Sequence, residues 1–338
     1  MQKVNRSIKL RVSITIFVIV FLIISCVTEK SIIPVKISSS DLIIDGDILV
    51  EYIGSEKSII IPDNLGIKII GGKSFAGISI VSIKIPEGVT EIDYDAFALC
   101  SKLENVELPS TLEVIRSNQR GRQMGTFNGC PLPIIKIPAS VSDLGNWNSW
   151  PRHTVIEIEK ENKYFVSIDG VLFDKEMTRL LHYPSSLKNE SYTIPSSVKI
   201  IERFSFQLTE NLKNVILPDG LITIERSAFE NSGIKTINLP NSLTSIGSYV
   251  FNNCPNLISL VIPEGIKSVI TTNSFTYCNS LESVELPSDV EIIESGAFIS
   301  CPNLKKIMLS RNTIIREGAI RSDTGIDVTK QVDFIFID

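Results

Sequence analysis

The stretch Ile85–Pro109, IPEGVTEIDYDAFALCSKLENVELP, is one complete unit of a chain that repeats itself. Val106 and Leu108 alternate with polar neighbours, the period-two signature of a half-buried strand. Pro109 follows, removes a backbone donor and ends the ladder. Val89 and Ile92 form a second aliphatic pair, which returns on the opposite side of a coil. The Ala96-Phe97 pair then fills the interior before the chain turns into the next strand. The same phrase reads from Leu281, through Val284, Leu286, Pro287, Val290, Ile293, Ala297 and Phe298 to Cys301.

Working outward, phenylalanines recur at Phe75, Phe97, Phe127, Phe206, Phe229, Phe251, Phe275 and Phe298, with regular spacings of 22, 23, 22, 24 and 23 residues. Prolines keep the beat at Pro62, Pro86, Pro109, Pro138, Pro195, Pro218, Pro240, Pro263 and Pro287. A unit of this size cannot close a core alone, so units must stack and bury one another's apolar faces.

The phrase from Ile85 to Pro109 resembles the BspA-like, or Treponema-type, leucine-rich repeat of bacterial surface proteins. The resemblance covers most of residues 46–309. It implies a β-rich, right-handed solenoid with a parallel sheet on its concave side. It also implies a lipid-anchored envelope protein that binds host matrix proteins or other cells, with no catalysis and no cofactor. An envelope-internal scaffold and a carbohydrate-binding component of nutrient uptake are the alternatives.

The repeat departs from its beat in two places. About seven residues are inserted around Arg116–Met124 and should loop off one coil. From Leu144 to Pro195 the beat is lost. There Tyr164–Phe173, YFVSIDGVLF, reads strand, Asp-Gly turn, strand. The expected organisation is a repeat block over 46–143, an irregular hairpin module over 144–194 and a second repeat block over 195–320. A domain boundary inside the module is the alternative. Asp45-Gly46-Asp47 with Tyr52 reads as the opening cap, and 321–338 as a closing cap or tail.

Residues 1–25 read as an export signal: Lys3, Arg6, Lys9 and Arg11, then an apolar run from Val12 to Ile24. That run is short for a bilayer span, although an uncleaved anchor is the alternative. Ile23-Ile24-Ser25-Cys26 resembles a lipobox, with Ile24 bulkier than usual. It implies cleavage before Cys26 and lipidation there; residues 26–45 then read as a tether. Several acyl chains on one residue hold a bilayer far better than one.

Composition narrows the rest. Hydrophobic residues make up 43% and aromatics 7%, which suits many short aliphatic strands. A net charge of −5, with both signs mixed, argues against nucleic-acid binding. The two histidines, His153 and His182, have no Cys or His at ligand spacing. Five cysteines, Cys100, Cys130, Cys254, Cys278 and Cys301, each sit three residues after a repeat phenylalanine. Ile78, Thr209 and Ser232 fill the same place elsewhere, so the position reads as a buried site for structural thiols; bonds between stacked neighbours are the alternative. A phosphate loop fails narrowly at Gly66–Ser74, and Ser185-x-x-Lys188 stands alone.

The outward residues of the concave strands are then the binding candidates: Lys84, Asn105, Glu107, Lys136, Asn214, Asn238, Ser259, Ser283, Glu285 and Lys306. They are mixed, small and polar, without an aromatic row for sugar rings, and suit a broad protein contact. Trp147, Trp150 and His153 are a second candidate patch, or else buried caps over the broken repeat.

Overall fold

The computed structural model describes residues 33–117, 125–146, 150–266, 274–322 and 328–337. Each repeat lays down a front strand before its proline and a shorter back strand at its second aliphatic pair. Because one repeat carries the chain once around, successive strands pair in parallel. In front, Ser82–Lys84 pairs with Asn105–Glu107, with Ile83 opposite Val106. Behind, Ile69–Ile70, Glu91–Ile92 and Val114–Ile115 stack in the same order. The result is a solenoid of about 12 turns with almost no helix.

The front sheet runs along the molecule in segments. Val35–Lys36, Ser58–Ile60, Ser82–Lys84 and Asn105–Glu107 form the first. Ile134–Ile137 then pairs with Val155–Ile158, and Ser191–Thr193, Asn214–Ile216 and Thr236–Ile237 follow. Ser259–Val261, Ser283–Glu285, Lys306–Leu309 and Asp333–Phe336 complete it. Two expected boundaries therefore move. Residues 26–45 read as a tether, yet the chain is in the fold from Val35. The segment after Ile320 has lost the repeat phrase, yet it adds one more front strand, because a parallel ladder needs only backbone.

Each repeat block opens on the same device. Leu42–Asp45 and Ile48–Tyr52 make an antiparallel hairpin around Gly46, and Ile48–Leu49 then pairs in parallel with Ile69–Ile70. Phe165–Ile168 and Val171–Asp174 make the second hairpin. Its turn residues, Asp169 and Gly170, both have positive φ, 49° and 82°, as a two-residue turn between twisted strands requires. Arg179–His182 completes that module and pairs in parallel with Ile200–Ile201.

The second module is a wall shared by two cores. Leu172 and Leu181 pack with the residues of the first block, whereas Val171, Phe173, Leu180 and Tyr183 pack with those of the second. Strand alternation explains this division, since neighbouring side chains point to opposite faces. The irregular stretch is thus packed on both sides.

Down the middle run two columns of stacked rings. Tyr52, Phe75, Phe97, Phe127 and Trp150 lie 5.6, 5.1, 5.4 and 5.3 Å apart between centroids. Tyr183, Phe206, Phe229, Phe251, Phe275 and Phe298 follow at 5.1, 4.9, 6.1, 6.1 and 5.0 Å. Left-handed residues bracket these rings two positions before and after: Asp95 and Leu99 around Phe97, Phe204 and Leu208 around Phe206, Ser227 and Asn231 around Phe229. Few of these are glycine, so the backbone strain is held by the packed ring and by bonds to the next turn, such as Leu99 N–H to the Asn128 carbonyl at 2.7 Å.

Candidate binding face

Because side chains alternate along each front strand, Ile83, Val106, Val215 and Val284 point into the core and their neighbours point out. Register aligns the outward residues into two rows. Ser82 stands opposite Asn105, Asn214 opposite Thr236, and Ser259 opposite Ser283 and then Lys306. In the second row Lys84 faces Glu107, and Val261 faces Glu285 and then Met308. Nine of the ten residues singled out from the sequence stand at outward positions of the front strands, and Asn238 lies just beyond one. Seven of the ten are exposed, while Asn214, Ser283 and Glu285 are half-buried.

The structure also divides them. Lys84 and Glu107 form an ion pair, which raises the lysine pKa. Lys136 stands opposite Glu157, on a strand the lost beat had hidden although Val155–Ile158 alternates plainly. Asn214 and Asn238 border a groove of about 650 Å³ together with Ile216, Thr236, Asp219 and Asn241. Asn214 Nδ2 donates to Ser191 Oγ at 3.4 Å, so the next strand, Ser191–Thr193, belongs to the same surface. Its signal was the phrase Tyr192-Thr193-Ile194-Pro195. Asn238 lies just beyond the short strand Thr236–Ile237, where the front ladder stops before Ser259–Val261. Half of the groove's lining is apolar, including Ile216, Leu239 and Pro240; the rest is amides and small hydroxyls with one carboxylate, groups that donate to and accept from a polypeptide backbone.

Of the second candidate patch, His153 is half-buried and Trp150 is core. Trp150 is 2% exposed and ends the first ring column, its Nε1 donating to the Leu144 carbonyl at 3.0 Å. A buried ring over a broken repeat is core. Trp147 lies outside the described residues, as do the export signal and Cys26. His182 Nε2 meets the Thr154 carbonyl at 3.0 Å across the wall between the cores. Burial, with the Arg152 guanidinium nearby, pushes its pKa down to about 3, so the ring is neutral and structural at physiological pH.

The five described thiols are free and buried. Each bonds to the carbonyl of the phenylalanine one turn back, as Cys100 does to Phe75 at 2.9 Å and Cys278 to Phe251 at 3.1 Å. Burial pushes Cys254 up to about 12, far from the thiolate that reactivity requires. Thr209 satisfies the same place by bonding its hydroxyl to Phe206 at 2.7 Å. No group of three or more His, Cys, Asp or Glu among the described residues is placed to hold a metal.

The family comparison agrees with this geometry. The model of the BspA type leucine rich repeat region matches in six copies, over residues 51–149, 182–305 and 256–326. The stretch left out, 150–181, holds most of the hairpin wall. Among solved structures, the pneumococcal vaccine antigen PcpA is similar at 24% identity and a TM-score of 0.69, over 92% of this chain and 91% of that one. A leucine-rich repeat protein from Eubacterium ventriosum is similar at 25% identity and a TM-score of 0.60, over 78% of this chain and 82% of that one. None of the curated proteins is a match. With its repeats matched over more than half its length and the solenoid in place, the chain belongs to the BspA-type leucine-rich repeat family.

Proposed function

We propose that this protein is held at a bacterial envelope by lipid on Cys26 and binds protein partners through its front sheet. Host matrix proteins or the surfaces of other cells are the partner class. The observation that carries the reading is the outward, largely polar face, in register within each segment of the front sheet and opened into a groove bordered by Asn214 and Asn238. A broad face of small polar groups with a few apolar anchors such as Ile216 and Val261, 49% and 56% exposed, suits a large, shallow protein contact. Among the described residues no helix is long and apolar enough to cross a membrane; the proposed attachment is lipid on Cys26.

Two experiments test this. Cys26→Ala should move the protein from the membrane fraction to the soluble one; continued tight association would sink the anchor. Protease added to intact cells should degrade the protein and abolish adhesion to matrix-coated wells. Full protection would favour an envelope-internal scaffold, and selective binding on a glycan array would favour the carbohydrate reading.

A further inference from the structure

The two ends of the solenoid are unlike, and among the described residues each leaves an edge of the front sheet unpaired. At the start the outermost front strand is Val35–Lys36. Ile33, Val35 and Ile53 are exposed at this end, Ile33 by 77% and Ile53 by 56%, and so are Ile43, Ile48 and Val50 on the hairpin that begins the back sheet. At the finish the outermost strand is Asp333–Phe336, paired on one side only, with Lys306–Leu309. Ile335, Phe336 and Ile337 are exposed there, as is Ile314 on the last back strand. An open strand with exposed apolar side chains is a template for another strand, and natural sheets blunt such edges with proline, lysine or bulges. Asp333–Phe336 carries none of these, whereas Val35–Lys36 holds Lys36 and follows Pro34. Apolar groups gathered at both ends, rather than scattered, mark contact surfaces.

The ends also differ in sign. Residues 33–57 hold five acidic groups, Asp41, Asp45, Asp47, Glu51 and Glu56, against two basic ones, Lys36 and Lys57, a balance of −3. The described side chains between 305 and 337 include five basic groups, Lys305, Lys306, Arg311, Arg316 and Arg321, against two acidic ones, Glu317 and Asp333, a balance of +3. Like ends would repel and unlike ends attract. Register fits as well. Lys36 continues the outward row of Ile60, Lys84 and Glu107, and Ile335 continues that of Glu285 and Met308. Placed finish to start, two copies would set Ile335 beside Lys36 and Phe334 beside Val35, extending one parallel ladder across the joint.

We propose that copies of this chain associate end to end, the Asp333–Phe336 strand of one pairing in parallel with the Val35–Lys36 strand of the next. Such a contact uses different surfaces on the two partners, so it leaves a free end on each side and propagates into chains of copies. It also covers apolar groups that are exposed at both ends among the described residues.

The test uses full chains carrying Lys36→Cys or Ile335→Cys. Adjacent strands lie about 4.8 Å apart, within reach of a disulfide. Under mild oxidation a mixture of the two variants should give a linked pair at about tenfold the yield of either variant alone. Sedimentation of the parent protein should show its mass rising with concentration. Ile335→Lys at one end and Val35→Lys at the other should each weaken that association about tenfold or more. Both side chains are exposed, so melting should be unchanged. A protein that stays monomeric at every concentration overturns the proposal. So does cross-linking as strong within one variant as in the mixture, or association that neither lysine affects.

Discussion

From Tyr52 to Trp150 the central rings lie between 5.1 and 5.6 Å apart, and Lys84 and Glu107 close an ion pair over the front sheet. From Tyr183 to Phe298 the column opens to 6.1 Å on both sides of Phe251, and the front ladder stops between Thr236–Ile237 and Ser259–Val261. One repeat thus builds two surfaces. Where strands step evenly, opposite charges meet across them and neutralise each other. Where one front strand shrinks to two residues, Asn238 leaves the ladder and a groove appears beside it. The scaffold is set by buried rings and aliphatics, while the usable surface is set by how far each strand keeps its ladder.

The largest difference should be in stability. Phe97→Ala removes a ring stacked closely on both sides and should cost about 3–5 kcal/mol in urea unfolding. Phe251→Ala, whose neighbours are farther away, should fall near the lower end of that range. Equal costs would show that ring spacing does not distinguish the halves.

Next comes the seam between them. His182 has a folded pKa of about 3, against about 6.5 in an unfolded chain. Between those values the unfolded chain binds a proton that the folded one refuses. Stability is therefore full above about pH 6.5 and falls, by up to about 1.4 kcal/mol per pH unit, as the pH drops toward 3. His182→Gln should flatten that slope in denaturation curves taken from pH 7 to pH 4. An unchanged slope would place the acid sensitivity elsewhere.

Smaller still is the contrast at the front face. Asn238→Ala should weaken partner binding about tenfold, the loss expected when an amide is removed from a polar contact. Exchanging the first-half pair, Lys84→Glu with Glu107→Lys, keeps the ion pair and should leave both melting and binding as they were. Binding lost through the exchange and kept in Asn238→Ala would move the site to the first half.

The repeat itself was legible because its signal is packing. Phe97, Val106 and Leu108 have one period each, and every copy repeats it. The thiol site was legible for the same reason, since Cys100 fills the buried place that Thr209 and Ser232 fill in their repeats. The outward residues followed from alternation once the strands were placed. The pairing of Val35–Lys36 and of Asp333–Phe336 was hidden, because a parallel ladder is made by backbone groups that no residue type announces. The groove was hidden as well. It depends on where Thr236–Ile237 stops pairing, a matter of spacing between neighbours and not of its own sequence. Left-handed residues such as Leu99 and Leu208 gave no signal, because the conformation is imposed by the buried ring rather than offered by glycine.

The central claim is that the front sheet is the working surface. It is tested most directly by adding bulk and charge to one side at a time. Ile216→Lys with Thr236→Lys changes only front residues, and Thr223→Lys with Ser245→Lys changes only back ones; Thr223 is half-buried and the other three are exposed. Adhesion of cells bearing each variant to matrix-coated surfaces should be lost with the front pair and kept with the back pair, at equal surface amounts. Adhesion kept by the front pair, or lost equally with both, would contradict the account.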